Sequence, residues 1–197
     1  MLTIAWDVDD VLNGLMRSWL ELEWLPKHPE CLVKYENITE NPPCRILGIS
    51  EREYLKSLDA FRISDKAGLM KPDDDILNWF QKYGRHARHL AITGRPVSSI
   101  PQVSGWVFKY FGNWVRTFSF VPDRVEEGII AYDANKSEYL KWLGKVDIFV
   151  DDNFLNVKAV DSLGIKGILI PQPWNAAKIP LQETLNLLTK ILNVPND

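Results

Sequence analysis

The chain has 197 residues, with 23 Lys and Arg against 26 Asp and Glu, so its formal net charge is −3 at pH 7. This length can bury one sizeable core, and the slightly acidic balance gives no overall field that would attract a nucleic-acid backbone. Large polyanions are therefore disfavoured as partners, whereas a small anion held by a local cation or metal is compatible with this charge.

Cysteine and histidine positions point away from a disulfide framework and from a zinc site. Cys31 and Cys44 are the only cysteines, and neither lies in a metal-binding spacing, nor do the three histidines. The amino terminus enters an apolar strand pattern at once, with no basic flank and no long apolar stretch. We therefore expect no signal peptide and no membrane span, and we predict a cytoplasmic protein.

The first predicted strand covers residues 2–6 and runs directly into Asp7-Val8-Asp9-Asp10-Val11. Because side chains alternate along a strand, Asp7 and Asp9 are expected to converge just beyond its carboxyl end. Two carboxylates so close repel each other unless one is protonated or a hard cation such as Mg2+ neutralises them. The pattern indicates a metal site and phosphate chemistry, and an ordinary acidic loop after a strand is the alternative.

Strand and helix patterns alternate along the rest of the chain. Further buried strands are predicted at residues 87–93, 116–121, 146–150 and 166–170. Helices are predicted at residues 73–83, 101–111, 135–143, 153–163 and 181–192. This alternation predicts an α/β fold with a mainly parallel five-stranded sheet.

The interval between the first two strands is far longer than a single crossover helix needs. It contains helix patterns at residues 15–25 and 50–58, separated by an irregular, proline-bearing stretch at 26–43. We predict a small helical cap at residues 15–70, inserted into a core formed by residues 1–14 and 71–197. Its hinges are expected at residues 13–14 and 68–72, where Gly and Pro interrupt the chain.

Thr93-Gly94-Arg95-Pro96 ends the second predicted strand. A hydroxyl and backbone N–H groups can donate hydrogen bonds to phosphoryl oxygens, while Gly94 lets the backbone approach closely and Arg95 supplies a cation. We predict that this segment binds substrate phosphate at the same sheet edge as the first acidic cluster. An ordinary strand-to-helix turn is the alternative.

A second acidic pair, Asp151-Asp152, follows the fourth predicted strand, and Lys136 lies one helix earlier. Ligand sites of open parallel sheets lie outside the carboxyl ends of the strands, so these groups are expected to meet the other two clusters in one crevice. An ammonium group there could hold a nucleophile and a phosphate in place. Lys141 and Lys145 are rival candidates for this role.

Asp7-x-Asp9, Thr93, Lys136 and Asp151-Asp152, in this order, resemble the four motifs of the haloacid dehalogenase (HAD) superfamily of phosphohydrolases. The resemblance spans most of the chain and implies a three-layer Rossmann-like core. The long insert resembles the family's helical cap, which closes over the active site. The presence of Asp9 argues against the dehalogenases, which lack that second Asp.

The resemblance implies a role for each motif residue. Asp7 would be the nucleophile that takes the phosphoryl group, and Asp9 the acid and base. Thr93 and Lys136 would stabilise the phosphoryl oxygens of the transition state.

The same resemblance implies a Mg2+ site. The ion would contact Asp7, the backbone carbonyl of Asp9 and a carboxylate of the Asp151-Asp152 pair, with Asp151 preferred. Asp10 replaces the Gly often found in related nucleotidases, which puts the nearest subfamily in doubt.

Members similar to 5'(3')-deoxyribonucleotidases resemble this chain most, so a base-binding cap is one expectation. Trp19, Trp24, Tyr54 or Phe61 would supply a stacking ring, and Arg62 or Arg45 would meet a second polar group. Burial of these aromatic side chains in a core is the alternative reading for each of them.

We therefore predict a Mg2+-dependent phosphatase that hydrolyses a small phosphorylated metabolite, with a nucleoside monophosphate as one option, through an aspartyl-phosphate intermediate. Two alternatives stay open from the sequence. One is a binding or regulatory module of the same fold without catalysis. The other is a phosphatase acting on nucleic-acid ends or phosphoproteins, against which the acidic net charge argues.

Overall fold

The computed structural model of the chain describes residues 1–124 and 127–194. Residues 125–126 and 195–197 belong to the predicted core range 71–197 but lie outside the described residues.

The centre of the structure is a parallel sheet in the order β3-β2-β1-β4-β5. Its strands are β1 (Thr3–Asp7), β2 (Arg88–Thr93), β3 (Val115–Phe120), β4 (Ile148–Asp151) and β5 (Lys166–Leu169). All four pairings between neighbouring strands are parallel. The carboxyl ends of the five strands therefore meet at one edge, as the alternating pattern predicts.

Each predicted strand is found within two residues of its predicted ends. Short apolar runs mark the three central strands clearly because both faces of the sheet are covered there: β1, β2 and β4 are buried at every position after the first. The edge strands β3 and β5 are partly exposed. β1 and β4 end one residue later than predicted because Asp7 and Asp151 still pair with the neighbouring strands.

Helices cover both faces of the sheet. They are α6 (Asp74–Tyr83), α7 (Ile100–Phe111), α8 (Lys136–Leu143), α9 (Phe154–Asp161) and α10 (Leu181–Ile191). Ile4 and Trp6 pack on one face in a cluster with residues of α6, α7 and α10. Ala5 and Phe149 pack on the other face with residues of α8 and α9. The predicted three-layer, Rossmann-like α/β architecture is confirmed.

Side-chain caps explain where several of these helices begin. The Asp73 carboxylate accepts a hydrogen bond from the Ile76 N–H at 3.0 Å at the start of α6. Asn135 accepts one from the Glu138 N–H at 3.1 Å at the start of α8. Each cap satisfies a backbone donor that has no partner within the helix, and so fixes the first residue of the helix.

Residues 15–70 form the region predicted as the cap. Its helices are α1 (Leu15–Trp19), α2 (Leu25–Lys27), α3 (Cys44–Leu47), α4 (Glu51–Arg62) and α5 (Asp65–Gly68). A π-helical segment, Leu20–Trp24, joins α1 to α2, so the predicted helix at 15–25 continues to Lys27. The predicted irregular stretch contains one 3-10 turn at Tyr35–Asn37, and the helix predicted at 50–58 extends to Arg62.

This region has its own apolar cluster, which includes Trp19, Tyr35, Tyr54 and Phe61 and is separate from the two clusters on the sheet. Where the chain enters and leaves the region, Asn13 and Pro72 form an isolated antiparallel bridge. The domain limits and the hinges stay predictions.

Among the described residues, the structure has no helix long and apolar enough to cross a lipid bilayer.

Candidate active site

A buried lysine joins two carboxylates at the carboxyl edge of the sheet. The Lys136 Nζ atom lies 2.7 Å from Asp7 Oδ1 and 2.9 Å from Asp151 Oδ2. All three side chains are buried. The rival lysines, Lys141 and Lys145, are exposed. The structure thus brings the first, third and fourth sequence motifs together.

The positions of these residues in the strands and helices explain why their side chains lie close together. Asp7 and Asp151 are the last residues of β1 and β4, which are neighbours in the sheet. Lys136 is the first residue of α8, which the Asn135 cap holds in place. Asp151 also accepts hydrogen bonds from the Asn153 N–H at 2.7 Å and from Asn156 Nδ2 at 3.2 Å. These bonds fix the orientation of the Asp151 carboxylate.

Asp152 completes a cluster of three acidic groups. Carboxylate oxygens of Asp7, Asp151 and Asp152 lie within 4.8 Å of one another, and all three residues are buried. Trp174 Nε1 donates a hydrogen bond to Asp152 Oδ2 at 2.9 Å, and Asn175 donates one to the Asp152 carbonyl. The sequence analysis did not find Trp174 and Asn175. The signal that could have found them is their position just after β5, at the same sheet edge.

This cluster holds an excess of negative charge. Burial raises the pKa of Asp7 well above its ordinary value, Lys136 opposes that rise, and Asp151 and Asp152 add to it. Burial, together with Asp151 and Asp10, also raises the pKa of Asp152 well above its ordinary value. For Lys136, burial lowers the pKa, but Asp151 and Asp7 outweigh it and raise the pKa. One ammonium group does not neutralise three carboxylates, so a further cation suits the site.

Asp9 lines the same cleft as Asp7, and its convergence with Asp7 stays a prediction. β1 ends at Asp7, so the alternation of a strand does not reach Asp9, and Asp10 has a left-handed backbone with φ of 58°. The Asp9 carboxylate accepts two hydrogen bonds from Arg95, at 2.7 Å from Nε and 2.6 Å from Nη2. Burial raises the pKa of Asp9, but Arg95, Arg62 and Asn13 together outweigh it, and the net pKa is lowered.

Asp10, which was not among the predicted site residues, is buried beside the site. Its carboxylate accepts a hydrogen bond from the Met16 N–H at 2.9 Å, and its carbonyl accepts one from Gln172 Nε2 at 2.6 Å. Burial raises the pKa of Asp10 to about 8, although the Met16 hydrogen bond opposes the rise. Asp10 therefore ties the loop after β1 to the start of the cap region and to the loop after β5.

The second motif lies in the same cleft. Thr93 is buried, and its Oγ1 accepts a hydrogen bond from the Arg95 N–H at 3.3 Å. Gly94 faces Asp123, since a Cβ atom there would lie 2.2 Å from an Asp123 carboxylate oxygen. Only glycine fits this close approach. The predicted assignment of Gly94 and Arg95 to substrate binding stays a prediction, and the guanidinium of Arg95 is engaged by Asp9.

A cleft of about 360 Å³ opens over these groups, and α4 of the cap region contributes Tyr54, Leu58 and Arg62 to its lining. The other aromatic candidates for stacking lie in the apolar cluster of the cap region; they are Trp19, Trp24 and Phe61. Arg45 pairs with Glu40 and does not line the cleft. Of the candidates in the cap region, the structure brings only Tyr54 and Arg62 to the described part of the site.

Comparison with known proteins gives structural matches alone. No protein-family model matches the chain. No curated protein matches it in sequence. The solved structures that match include a haloacid dehalogenase-like hydrolase of Streptococcus pneumoniae, with a TM-score of 0.64 and 8% identity over 97% of this chain and 98% of that one.

Two further matches have similar coverage. YfnB of Bacillus subtilis, assigned as a HAD hydrolase and bound to magnesium, matches with a TM-score of 0.60 and 13% identity over 98% of this chain and 99% of that one. A protein of Thermotoga maritima assigned as a β-phosphoglucomutase matches with a TM-score of 0.52 and 16% identity over 97% of this chain and 100% of that one. This chain therefore has the fold of HAD-superfamily hydrolases.

Proposed function

We propose that this protein is a Mg2+-dependent phosphatase of the HAD type that hydrolyses a small phosphorylated metabolite. The observation that carries the proposal is the contact of Lys136 with both Asp7 and Asp151 at the carboxyl edge of the sheet. A carboxylate, an ammonium group and an acidic pair in a cleft are suited to phosphoryl transfer to a side chain. The shared fold supports this proposal.

The residues present fit a magnesium ion. Mg2+ prefers oxygen ligands, and the oxygens of Asp7, Asp151 and Asp152 are close enough to surround one ion. Asp151 and Asp152 each retain lone pairs for an ion, and we propose both as ligands together with Asp7 and the Asp9 backbone carbonyl. When bound, the ion would offset negative charge on the phosphate and on the nucleophile.

In the proposed reaction, an Asp7 carboxylate oxygen attacks phosphorus and forms a new P–O bond. The bond from phosphorus to the leaving oxygen breaks, and Asp9 gives that oxygen a proton. Water then attacks phosphorus and gives a proton back to Asp9, which releases inorganic phosphate and restores the Asp7 carboxylate. Lys136 and Thr93 hold the phosphoryl oxygens throughout.

Asp9 must change its contacts to perform this step. Its carboxylate oxygens both accept hydrogen bonds from Arg95, which keeps Asp9 ionised. A substrate that draws Asp9 away from Arg95 would weaken this stabilisation of the carboxylate and allow it to carry a proton.

Phosphate release from p-nitrophenyl phosphate and from a panel of nucleoside monophosphates, with Mg2+ and with excess EDTA, tests the proposal. Metal-dependent release supports a phosphatase, and a strong preference for nucleotides supports a nucleotidase with Tyr54 stacking on the base. No release from any compound, together with no Mg2+ binding, would favour a binding module instead. A preference for phosphorylated DNA ends or phosphoproteins would favour a phosphatase that acts on macromolecules.

A further inference from the structure

Arg62 is a partly buried cation of the cap region, and one of its hydrogen-bond donors has no partner among the described residues. It is the last residue of α4, it lines the cleft, and 14% of its side chain is exposed. Its Nε atom is buried and has no hydrogen-bond partner among the described residues. A buried N–H without an acceptor costs free energy, which a ligand acceptor would recover.

The buried cations of the cleft, Arg95 and Lys136, already have carboxylate partners. Arg95 donates two short hydrogen bonds to Asp9, and Lys136 contacts two carboxylates. Arg62 approaches Asp9 only to 3.7 Å, which is beyond a normal hydrogen bond. Arg95 already donates two hydrogen bonds to Asp9, so Asp9 does not need Arg62 as a donor. Arg62 therefore remains available for another acceptor.

A second cation lies on the same side of the cleft. Arg62 Nη1 lies 3.1 Å from one oxygen of Asp59, and Arg124 Nη2 lies 2.7 Å from the other. Arg124 also lines the cleft. Two guanidinium groups therefore share the Asp59 carboxylate where α4 meets the loop after β3, and this loop also carries Asp123.

We propose that Arg62 binds a second anionic group of the substrate, at the end away from the phosphate that is cleaved. This inference rests on the proposed phosphatase function and specifies its substrate class: a small phosphomonoester that also carries a carboxylate or a second phosphate. Arg62 offers its guanidinium group to this anion, with Arg124 as its neighbour in the cleft. The charge and fork geometry of a guanidinium favour carboxylate and phosphate over a neutral acceptor.

Binding of phosphonates tests this proposal without turnover, because a P–C bond has no ester oxygen to leave. Calorimetry in Mg2+ would compare 2-carboxyethylphosphonate and 3-carboxypropylphosphonate with alkylphosphonates of equal length. In the wild-type protein, we expect the carboxylate to tighten binding by roughly tenfold or more, as a charge-assisted hydrogen bond would.

Variants connect that preference to Arg62. In Arg62→Gln, the carboxylate should no longer tighten binding. Arg62→Lys should retain part of the preference because it keeps the charge but lacks the guanidinium group. Arg45→Gln is the matched control, since Arg45 pairs with Glu40 outside the cleft. Circular dichroism of each variant would establish that it is folded.

The outcomes separate this inference from the proposed function. Equal binding of the carboxylate and alkyl compounds, or a preference that survives in folded Arg62→Gln, would overturn the role of Arg62. Tighter binding of 2-aminoethylphosphonate would also overturn it, because Glu51 and Asp123 of the cleft would then select a cation. If the preference depends on Arg62 but no phosphomonoester is hydrolysed, the anion site stands and the phosphatase function fails.

Discussion

Arg95 holds Asp9 through two hydrogen bonds of 2.7 Å and 2.6 Å, although the sequence places these residues in two separate motifs. Arg95 is almost completely buried, with 2% exposed. The pair joins the loop after β1 to the loop after β2, so it positions the proposed acid and base and also stabilises the fold.

Replacing Arg95 should destabilise the protein. Arg95→Met leaves the Asp9 carboxylate largely buried without its main partner, and removing one member of a buried ion pair costs about 3–5 kcal/mol. Urea unfolding should show this loss in the free energy of unfolding. Arg45→Met, at an exposed ion pair, should change it by less than about 1 kcal/mol. Equal effects of the two substitutions would show that the Asp9 contact contributes little.

Replacing Lys136 should have opposite effects on activity and on metal binding. Lys136→Met removes the positive charge that Asp7 and Asp151 share, so those carboxylates should bind Mg2+ more tightly. Turnover of p-nitrophenyl phosphate should fall by about a hundredfold, because a group that stabilises the transition-state charge is lost. Calorimetry and steady-state kinetics measure the two effects. Weaker Mg2+ binding in the folded variant would contradict this account.

Binding of Mg2+ should release protons. The pKa values of Asp7 and Asp152 are raised in the metal-free protein, so these groups hold protons to a higher pH than ordinary carboxyl groups. The ion must displace those protons, so its affinity should fall as pH decreases. Calorimetry in buffers of different ionisation enthalpy counts the released protons. Asp152→Asn should release fewer protons than the wild type when Mg2+ binds. Asp161→Asn, which changes an exposed residue, should release as many as the wild type.

His89 should make the protein less stable in acid. Burial lowers its pKa to about 4, against an ordinary value of 6.5, so the folded state keeps His89 neutral. Trp6 Nε1 donates to its Nδ1 at 3.0 Å, and its Nε2 lies 2.7 Å from the Gly84 carbonyl. The unfolded state binds a proton first as pH falls, so stability is complete above about 6.5 and decreases by about 3 kcal/mol down to about pH 4.

Urea unfolding at several pH values tests this dependence. His89→Gln should be less stable near pH 7, but its stability should change less between about pH 6.5 and pH 4 than that of the wild type. His86→Gln, at a partly exposed position, is the control, and its free energy of unfolding should change with pH as in the wild type. The same slope in His89→Gln and the wild type would contradict the lowered pKa.

The fold was predictable because short apolar runs mark the strands, and the three central strands each end in a polar group. Asp7, Thr93 and Asp151 all end strands of the sheet, and a parallel sheet necessarily brings their ends to one edge. Lys136 was one of three candidate lysines in the sequence, and the structure places it close to that edge as the first residue of α8.

The partners of individual side chains were not predictable. The sequence assigns Arg95 to phosphate and Asp9 to the side of Asp7, and it gives no sign that the two side chains form an ion pair. Most aromatic residues of the cap region pack into their own cluster, which depends on how its short helices pack together. Arg62 was one of several candidates, and only the packing of α4 over the cleft distinguishes it.

Rapid quenching of the protein with a radiolabelled phosphomonoester tests the central claim, that Asp7 takes the phosphoryl group. After a short incubation with Mg2+, we expect the label on a single peptide that contains Asp7, and we expect hydroxylamine to remove it because an acyl phosphate is reactive. Folded Asp7→Asn should carry no label and should release no phosphate. Wild-type turnover by Asp7→Asn, or label on a different residue, would contradict the account.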